Sequence, residues 1–305
     1  MSRIAVVGSI NMDVVVRLER MPAPGETLTG EGASFYPGGK GANQAVAAAR
    51  LGGDVVFFGK IGDDPFGTEL RQGLIDNGVN VDGLETESGC TSGLASIWVD
   101  ASGENAIVLD LGANGLVDDA FIDRHLDAIT AADVLLLQLE IPIETIAHLL
   151  GSFPPERPRV ILDPAPAQDL ADLPLDRIEI LTPNERELRA IAGCDDPAEA
   201  ADRLLAQGVT HVLCTLGAEG ADLYSADGTI THVDAPEVDV VDTTAAGDAF
   251  NGALAVALLT KDLQDALADA VLAGALAATK AGAQPSLPAR FDIEQAARAG
   301  AVRKD

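Results

Sequence analysis

Basic residues are scarce in this chain, which has 20 Lys and Arg against 48 Asp and Glu in 305 residues and a formal net charge of −28. Such a charge repels phosphate backbones, so nucleic acid is not expected as a partner. Only five of the bases are Lys, while 31 of the acids are Asp. Because this charge density is tolerable where salt screens it within about 3 Å at 1 M, the composition favours a halophilic surface. An acidic cytosolic protein is the alternative.

Cysteines and long apolar runs are also few. Cys90, Cys194 and Cys214 are far apart and lack a C-x-x-C pair or a His cluster, which argues against a disulfide framework or zinc site. No apolar stretch approaches the roughly 20 residues of a membrane span, so we expect a cytoplasmic protein without a membrane partner. Aromatic residues make up 4% of the chain and hydrophobic residues 47%. The core must therefore consist of Ala, Val, Leu and Ile.

Short apolar runs alternate with Ala- and Leu-rich helical stretches along the chain. Helices are predicted from Gly41 to Leu51 and around Phe66 to Asn77. The strand-like runs are RIAVVG (3–8), VVFFG (55–59), DVLLLQLE (133–140), RVILD (159–163), IEILT (178–182) and THVLCTLG (210–217). This alternation predicts an α/β fold with a mostly parallel central sheet. We expect residues 1–305 to form a single domain, since α/β folds often reach this length as one unit.

Two stretches interrupt this alternation with period-2 patterns and turn signals. They span residues 14–36 and 92–111 and have no helix between their apolar segments. We interpret them as antiparallel strands of a small second sheet. A sheet inserted beside the carboxyl ends of parallel strands commonly covers a ligand crevice, so this one is predicted to be a lid.

The segment VDTTAAGDAFNG, residues 241–252, carries a carboxylate at the start of a helix. A strand ending near Val241 and a helix starting near Gly247 would leave the N–H groups of residues 245–247 unpaired beside small side chains. That arrangement predicts an anion hole formed by Ala245, Ala246 and Gly247. Asp248 could then accept a proton from an alcohol as general base. The alternative is that Asp248 only caps the helix.

The segment YPGGKGANQAVAAARLGG, residues 36–53, is glycine-rich but fits neither common nucleotide motif. It is not a Walker A loop, and it lacks the G-x-G-x-x-G fingerprint of a Rossmann-type dehydrogenase. Its glycines permit close approach of a small ligand to the backbone, with Lys40 and Asn43 as polar groups at a helix start. A tight turn without a ligand is the alternative.

Three further segments place polar groups after strands. In GSINMD, residues 8–13, Asn11 and Asp13 project on one side and can grip vicinal hydroxyls, unless they form an Asx turn. In LTPNERE, residues 181–187, Asn184 and Glu187 share a helical face that suits a water-ligated Mg²⁺. In CTLGAEGA, residues 214–221, a hydroxyl and open backbone could meet phosphates. Capping and turn formation explain the last two segments equally well.

Together these segments resemble the ribokinase family of carbohydrate kinases, also called the PfkB family, over essentially the whole chain. PGGKGANQAVAAARLG is similar to the family's N-terminal signature and VDTTAAGDAFNGAL to its C-terminal one. GSINMD, QLEIP, DPAPA, TPNE and GAQPS are most similar to ribokinases proper. The resemblance implies a three-layer α/β/α fold with a β-sheet lid. It also implies transfer of the ATP γ-phosphoryl group to the primary (5-) hydroxyl of a pentose, with D-ribose as the first candidate and ribose 5-phosphate as the product.

The resemblance also implies site residues. Asp248 would be the base, and residues 245–247 would form the anion hole. The implied sugar ligands are Asn11, Asp13, Gly39, Lys40, Asn43, Glu140 and Asp248, with Ala95, Ile97 and Leu109 of the lid. The implied ATP contacts are Asn184, Thr215, Gly217, Gly220 and Gly247, with Asn184 and Glu187 supporting Mg²⁺ through water. The implied K⁺ site comprises Asp242, Thr244, Ala277, Lys280, Gly282 and Ser286.

Several points stay open within this resemblance. Ribose 1-phosphate, a nucleoside and deoxyribose are rival acceptors, although the charge of Glu140 disfavours an anomeric phosphate and Asn11 with Asp13 suits a 2-hydroxyl. A catalytically silent sugar or nucleotide sensor is the rival from another class. Ala270 stands where many ribokinases place an Asn near adenine, which leaves base selectivity open. A homodimer formed through the lid is expected.

Overall fold

The computed structural model describes residues 3–154 and 158–302, within which thirteen strands alternate with nine α-helices. The strands are β1 Arg3–Val7, β2 Asn11–Arg17, β3 Glu31–Gly38, β4 Asp54–Gly62, β5 Asn80–Glu87, β6 Gly93–Val99, β7 Asn105–Asp110, β8 Val134–Leu137, β9 Arg159–Leu162, β10 Ile180–Leu181, β11 His211–Thr215, β12 Ala221–Ser225 and β13 Ile230–Val233. The helices are α1 Lys40–Arg50, α2 Pro65–Asp76, α3 Asp119–Thr130, α4 Ile143–Gly151, α5 Glu185–Ala192, α6 Pro197–Ala206, α7 Ala246–Ala257, α8 Leu263–Ala277 and α9 Arg290–Val302.

The larger sheet has the strand order β13-β12-β11-β10-β9-β8-β1-β4-β5. All its neighbouring strands from β11 to β5 run parallel, while β12 and β13 form an antiparallel edge. The central strands are continuous apolar runs because helices cover both of their faces. The predicted mostly parallel sheet is therefore confirmed.

Alternate residues of each central strand belong to two separate cores. Val6 and Leu136 pack with α1, α2, α7 and α8 on one face of the sheet. Val7 and Leu137 pack with α3, α4, α5 and α6 on the other face. This alternation follows from the period of two along a strand. The three-layer α/β/α architecture is thus confirmed.

Small residues let α1 and α7 pack closely. A Cβ added to Gly252 would lie 2.6 Å from the Cβ of Ala47 and 3.0 Å from the carbonyl oxygen of Gln44. Asp248 lies one helical turn before Gly252 in α7, so this close packing places Asp248 beside the first turn of α1. The small Ala and Gly side chains of the two helices therefore bring Asp248 close to α1.

The second sheet has the order β3-β2-β6-β7 and coincides with the predicted lid stretches. The prediction of purely antiparallel strands was wrong: β2–β3 and β6–β7 are antiparallel, but β2 pairs with β6 in parallel. The reason lies in the connections, since β2 follows β1 and β6 follows β5 at the same carboxyl edge of the larger sheet. Both strands leave that edge in the same direction.

The strand predicted to end near Val241 is also absent from the described residues. The chain leaves β13, the edge strand, at Val233 and runs without regular structure to α7. Val240 and Val241 are 60% and 64% exposed, so their apolar side chains have neither a sheet neighbour nor a core to pack against.

Among the described helices, we find none with the length and apolar character needed to cross a bilayer.

Candidate active site

A polar cavity of about 180 Å³ opens at the carboxyl edge of the larger sheet. It lies where the N-termini of α1, α5 and α7 converge on the ends of β9, β10 and β11, the position where α/β folds bind ligands. Its lining residues are Lys40, Asp163, Ala165, Thr182, Asn184, Glu187, Thr215, Thr243, Ala245, Gly247, Asp248 and Asn251. Seven of the sequence-predicted residues are brought together here, although they are spread over about 200 positions of the chain.

Asp248 is buried in the first turn of α7. Its Oδ2 accepts a hydrogen bond from Asn43 Nδ2 at 2.9 Å, and its Oδ1 accepts one from Gln44 Nε2 at 3.3 Å. Burial raises the pKa of Asp248, and the Lys40 ammonium and the two amides oppose that rise only in part. Since no backbone N–H of α7 bonds to this side chain, Asp248 does not cap the helix. Its carboxylate is oriented towards the cavity by side chains of α1.

The three amides of the predicted anion hole differ in their hydrogen bonds. Ala246 N–H donates to the carbonyl oxygen of Thr243 at 3.2 Å and is therefore not free. Ala245 has a left-handed φ of 59°, a strained conformation for a residue with a Cβ, and this tight turn uses up the Ala246 amide. Within the described part of the chain, the N–H groups of Ala245 and Gly247 have no acceptor. Two of the three predicted amides remain for an anion.

Lys40 and Asp163 add opposite charges to the cavity. Burial lowers the pKa of the Lys40 ammonium, but the carboxylates of Asp163, Asp248, Glu140 and Glu187 outweigh it and raise that pKa. Asp163 is 5% exposed, and burial, opposed by Lys40, raises its pKa to about 8. The sequence reasoning did not select Asp163. Its position directly after a strand, in RVILD, was the available signal.

A second group of polar residues lies on the lid side of the cavity. Asn11 and Asp13 project from the same face of β2, as predicted, and Asp13 is paired across the strands with Ala95, which is paired with Leu109. Ile97, two residues further along β6, shares that face. The predicted apolar lid contacts therefore lie beside the predicted sugar ligands.

Asp13 has an unusual carboxyl group. Burial first, and then the charges of Glu140 and Asp248, raise its pKa to about 7. Asn11 is 3% exposed, and its Oδ1 accepts a hydrogen bond from Asn114 Nδ2 at 2.7 Å. Asn114 also accepts from the backbone N–H of Ile10 at 3.0 Å, so it fixes the start of β2. Sequence reasoning missed Asn114 because nothing near it in the chain marks this role.

Glu140 joins the two groups of residues. Its Oε2 accepts hydrogen bonds from Ser9 Oγ at 2.6 Å and from the backbone N–H of Lys40 at 3.0 Å. The carboxylate thus complements the positive end of the α1 dipole. Gly39 precedes this helix with a φ of 86°, and a Cβ there would lie 2.8 Å from the backbone nitrogen of Asn11. Only glycine fits this position without displacing β2.

Of the residues predicted to bind the nucleotide and its Mg²⁺, Asn184, Glu187, Thr215 and Gly247 line the cavity, whereas Gly217 and Gly220 do not. Asn184 and Glu187 both line the cavity, and they also form a reciprocal capping box at the start of α5, with N–H to oxygen distances of 2.9 Å. Thr215 lies next to Asn184 through a parallel bridge. Gly217 and Gly220 do not line the cavity. The amide of Gly220 donates to the carbonyl oxygen of Gly217, and a Cβ at Gly220 would collide with Val233.

The predicted cation residues lie where the loop that precedes α7 meets the end of α8 and the segment that follows it. Asp242 Oδ1 accepts from the backbone N–H and hydroxyl of Thr244, and Oδ2 accepts from the N–H of Gly282 at 2.9 Å. The carbonyl of Ala277 accepts the N–H of Lys280, and Ser286 Oγ donates to Ala283. No cluster of three or more His, Cys, Asp or Glu suited to a metal occurs among the described residues. A site here would therefore depend on backbone carbonyls, which suit a hard monovalent ion.

Ala270, the residue at which the sequence left base selectivity open, lies in α8. It is fully buried in the core formed by α7 and α8 and so offers no exposed surface to a base.

Comparisons with known proteins agree with this geometry. A sequence model of the "pfkB family carbohydrate kinase" group matches residues 1–290. Ribokinase from Bacillus subtilis is 40% identical over 296 residues, covering 97% of this chain and 99% of that protein. Deoxyribokinase from Salmonella typhi is 36% identical, with 96% of each chain covered. The structure of Arabidopsis thaliana ribokinase complexed with ribose and ATP superimposes with a TM-score of 0.91 at 33% identity, covering 97% of this chain and 98% of that one.

Proposed function

Because this chain belongs to the pfkB family of carbohydrate kinases, we propose that it transfers the γ-phosphoryl group of ATP to the 5-hydroxyl of D-ribose. The observation that carries the proposal is the environment of Asp248. A buried carboxylate with a raised pKa lies beside two free helix N–H groups and the Lys40 ammonium. This combination can accept a proton from an alcohol and stabilise negative charge next to it.

The protein groups divide into two functions. Asp248 takes the proton from the acceptor hydroxyl, while Lys40 and the amides of Ala245 and Gly247 stabilise charge on the transferred phosphoryl group. Phosphoryl transfer depends mainly on alignment and charge stabilisation. Closure of the β2-β3-β6-β7 sheet over the sugar would exclude the water that otherwise hydrolyses ATP.

Two ions belong to this proposal. Asn184 and Glu187 would hold Mg²⁺ through water, because both side chains line the cavity. The capping box uses only Oε2 of Glu187, which accepts from the Asn184 N–H, so Oε1 of the same carboxylate can face a metal-bound water. When bound, Mg²⁺ neutralises charge on the phosphates. The junction of Asp242, Thr244 and Gly282, with the carbonyls around residue 277 and Ser286, would hold K⁺. Its hydrogen bonds fix the loop that leads into the anion hole.

The assembly and the setting of the protein are part of the same proposal. The lid exposes apolar side chains, with Phe35 50%, Ile107 57% and Val108 62% exposed, which favours a homodimer formed through this sheet. The net charge of −28 favours function in concentrated salt. The use of ATP favours a cytoplasmic location.

Deoxyribose is the second candidate acceptor, since curated deoxyribokinases are also similar to this chain. The experiment is a comparison of D-ribose, 2-deoxy-D-ribose, ribose 1-phosphate and adenosine in molar KCl with ATP, measuring ADP release and identifying the product by ³¹P NMR. We expect the highest kcat/KM with ribose and a 5-phosphate product. Asp248→Asn should bind ribose while its kcat falls by about 10² or more. ADP release that no acceptor stimulates above ATP alone would overturn the proposal and favour a sensor.

A further inference from the structure

We infer that Gln44 is a positioning residue that orients the base Asp248 beside the neighbouring Asp163 and favours the ionised form of Asp248, an inference that rests on the proposed kinase function. Gln44 is fully buried in the second turn of α1. It therefore cannot contact a sugar or a nucleotide. Any influence on the reaction must pass through the groups that it touches.

The amide nitrogen of Gln44 is shared between two carboxylates. Nε2 lies 2.9 Å from Asp163 Oδ2 and 3.3 Å from Asp248 Oδ1. An amide NH₂ carries two protons, one for each acceptor. The positive end of the amide dipole thus lies between two buried acids whose charges repel each other. The bond to Asp248 favours the ionised form of that carboxyl, as the Lys40 ammonium does, against burial and the charge of Glu140, which raise its pKa.

A second buried amide sets the orientation of the first. Asp248 must be ionised to act as a base, and an ionised carboxylate can only accept, so the nitrogen of Gln44 faces Asp248 and its Oε1 faces away. That oxygen accepts a hydrogen bond from Gln138 Nε2 at 2.7 Å. Gln138 Oε1 has no hydrogen-bond partner among the described residues. It occupies space beside Gly8, where a Cβ at position 8 would collide with this oxygen.

The chain of donors therefore runs in one direction, from Gln138 through Gln44 to the two acids. Asn43 donates to Oδ2 of Asp248 and Gln44 donates to Oδ1, so the two hydrogen bonds together fix the orientation of the carboxylate plane. Reversing the Gln44 amide would point its carbonyl oxygen at the Asp248 carboxylate and turn its NH₂ group towards the NH₂ group of Gln138, which is also a donor. Asn43 was predicted from the sequence as a sugar ligand, but here it shares the task of holding the base.

The test is the pH dependence of single-turnover phosphoryl transfer to ribose for the parent protein, Gln44→Met and Gln44→Glu. Losing a hydrogen bond to a charged group should raise the pKa of the base, so the acid limb of the profile should move up by about one pH unit in Gln44→Met. Gln44→Glu has nearly the parent shape but puts a third buried acid where the amide donor was, so its acid limb should move further. A purely steric role predicts the opposite order, with Glu closer to the parent.

Controls separate this inference from folding defects and from the proposed function. Thr145→Val removes a buried hydrogen bond to Val117 of 2.8 Å on the opposite face of the sheet, and should lower the melting temperature without moving the profile. If both Gln44 variants fail to fold, Gln138→Met decides, because it frees the Gln44 amide without touching either acid. Profiles parallel to the parent in the variants that fold would overturn the inference. A parent protein inactive on ribose would instead overturn the proposed function.

Discussion

Since Asp13 is predicted to bind the sugar, we expect its carboxyl group to make ribose affinity depend on pH near neutrality. Its pKa of about 7 results first from burial and then from the charges of Glu140 and Asp248. An ionised carboxylate accepts hydrogen bonds from sugar hydroxyls more strongly than a protonated carboxyl group does, and Asp13 is the carboxylate on the β2 face nearest the predicted lid contacts. A group with this pKa is about 90% ionised at pH 8 and about 10% ionised at pH 6. The dissociation constant of ribose should therefore rise about tenfold between pH 8 and pH 6.

Isothermal titration with ribose in the absence of ATP measures this change without involving the chemical step. Asp13→Asn should bind ribose more weakly than the parent at pH 8, and its affinity should be constant over the same pH range. A parent dissociation constant that stays within twofold between pH 6 and pH 8 would refute the reasoning. So would a tenfold change that persists in Asp13→Asn.

The same group predicts the opposite pH trend for the unliganded protein. Because the folded-state pKa is raised from 3.8 to about 7, the contribution of Asp13 to stability is fully present below the unfolded value and is lost as pH rises through 7. The melting temperature of the parent should rise relative to that of Asp13→Asn as pH falls from 8 to 5. Equal pH dependence of the two proteins would contradict the assignment.

Other parts of the structure lead to further predictions. Gly247→Ala should raise the melting temperature, because a Cβ there meets nothing within 4 Å and Ala favours a helix by about 1 kcal/mol over Gly. The kcat of the same variant should fall, because the added methyl group enters the predicted anion hole. Asn114→Leu should lower the free energy of unfolding in urea by about 1–3 kcal/mol and weaken ribose binding, since it leaves the Ile10 amide unpaired and releases Asn11. Activity should be higher in KCl than in NaCl at equal ionic strength, and Asp242→Ala should remove that difference. The free energy of unfolding should increase from dilute buffer to molar KCl, and equal stability in both would count against salt adaptation of the −28 surface.

Much of the fold could be predicted from local patterns. Continuous apolar runs such as RVIL and VLLL required strands covered on both faces, and the observed cores lie on both sides of β8 and β9. The lid stretches were recognisable from their period of two. Their pairing direction was not, because it depends on which edge of the larger sheet β2 and β6 leave.

The candidate site was predictable only where a residue's neighbours in the chain carry the signal. Asp248 follows a small-residue turn and opens a helix, so its place in the first turn of α7 could be read from the segment itself. The pairing of the Ala246 amide with Thr243 could not, since it depends on the left-handed backbone at Ala245.

The sequence by itself determined the layered α/β architecture and the place of the proposed base Asp248 at the start of a helix, because strand periodicity, helix starts and small-residue turns are properties of short segments. Only the tertiary structure decided what surrounds that base. Gln44 reaches Asp248 because Gly252 and Ala47 allow α1 and α7 to pack closely, and Gln138 and Asp163, which come from other parts of the chain, bond to Gln44. Burial in that packed environment raises the carboxyl pKa values, and burial is a property of the folded chain rather than of any segment.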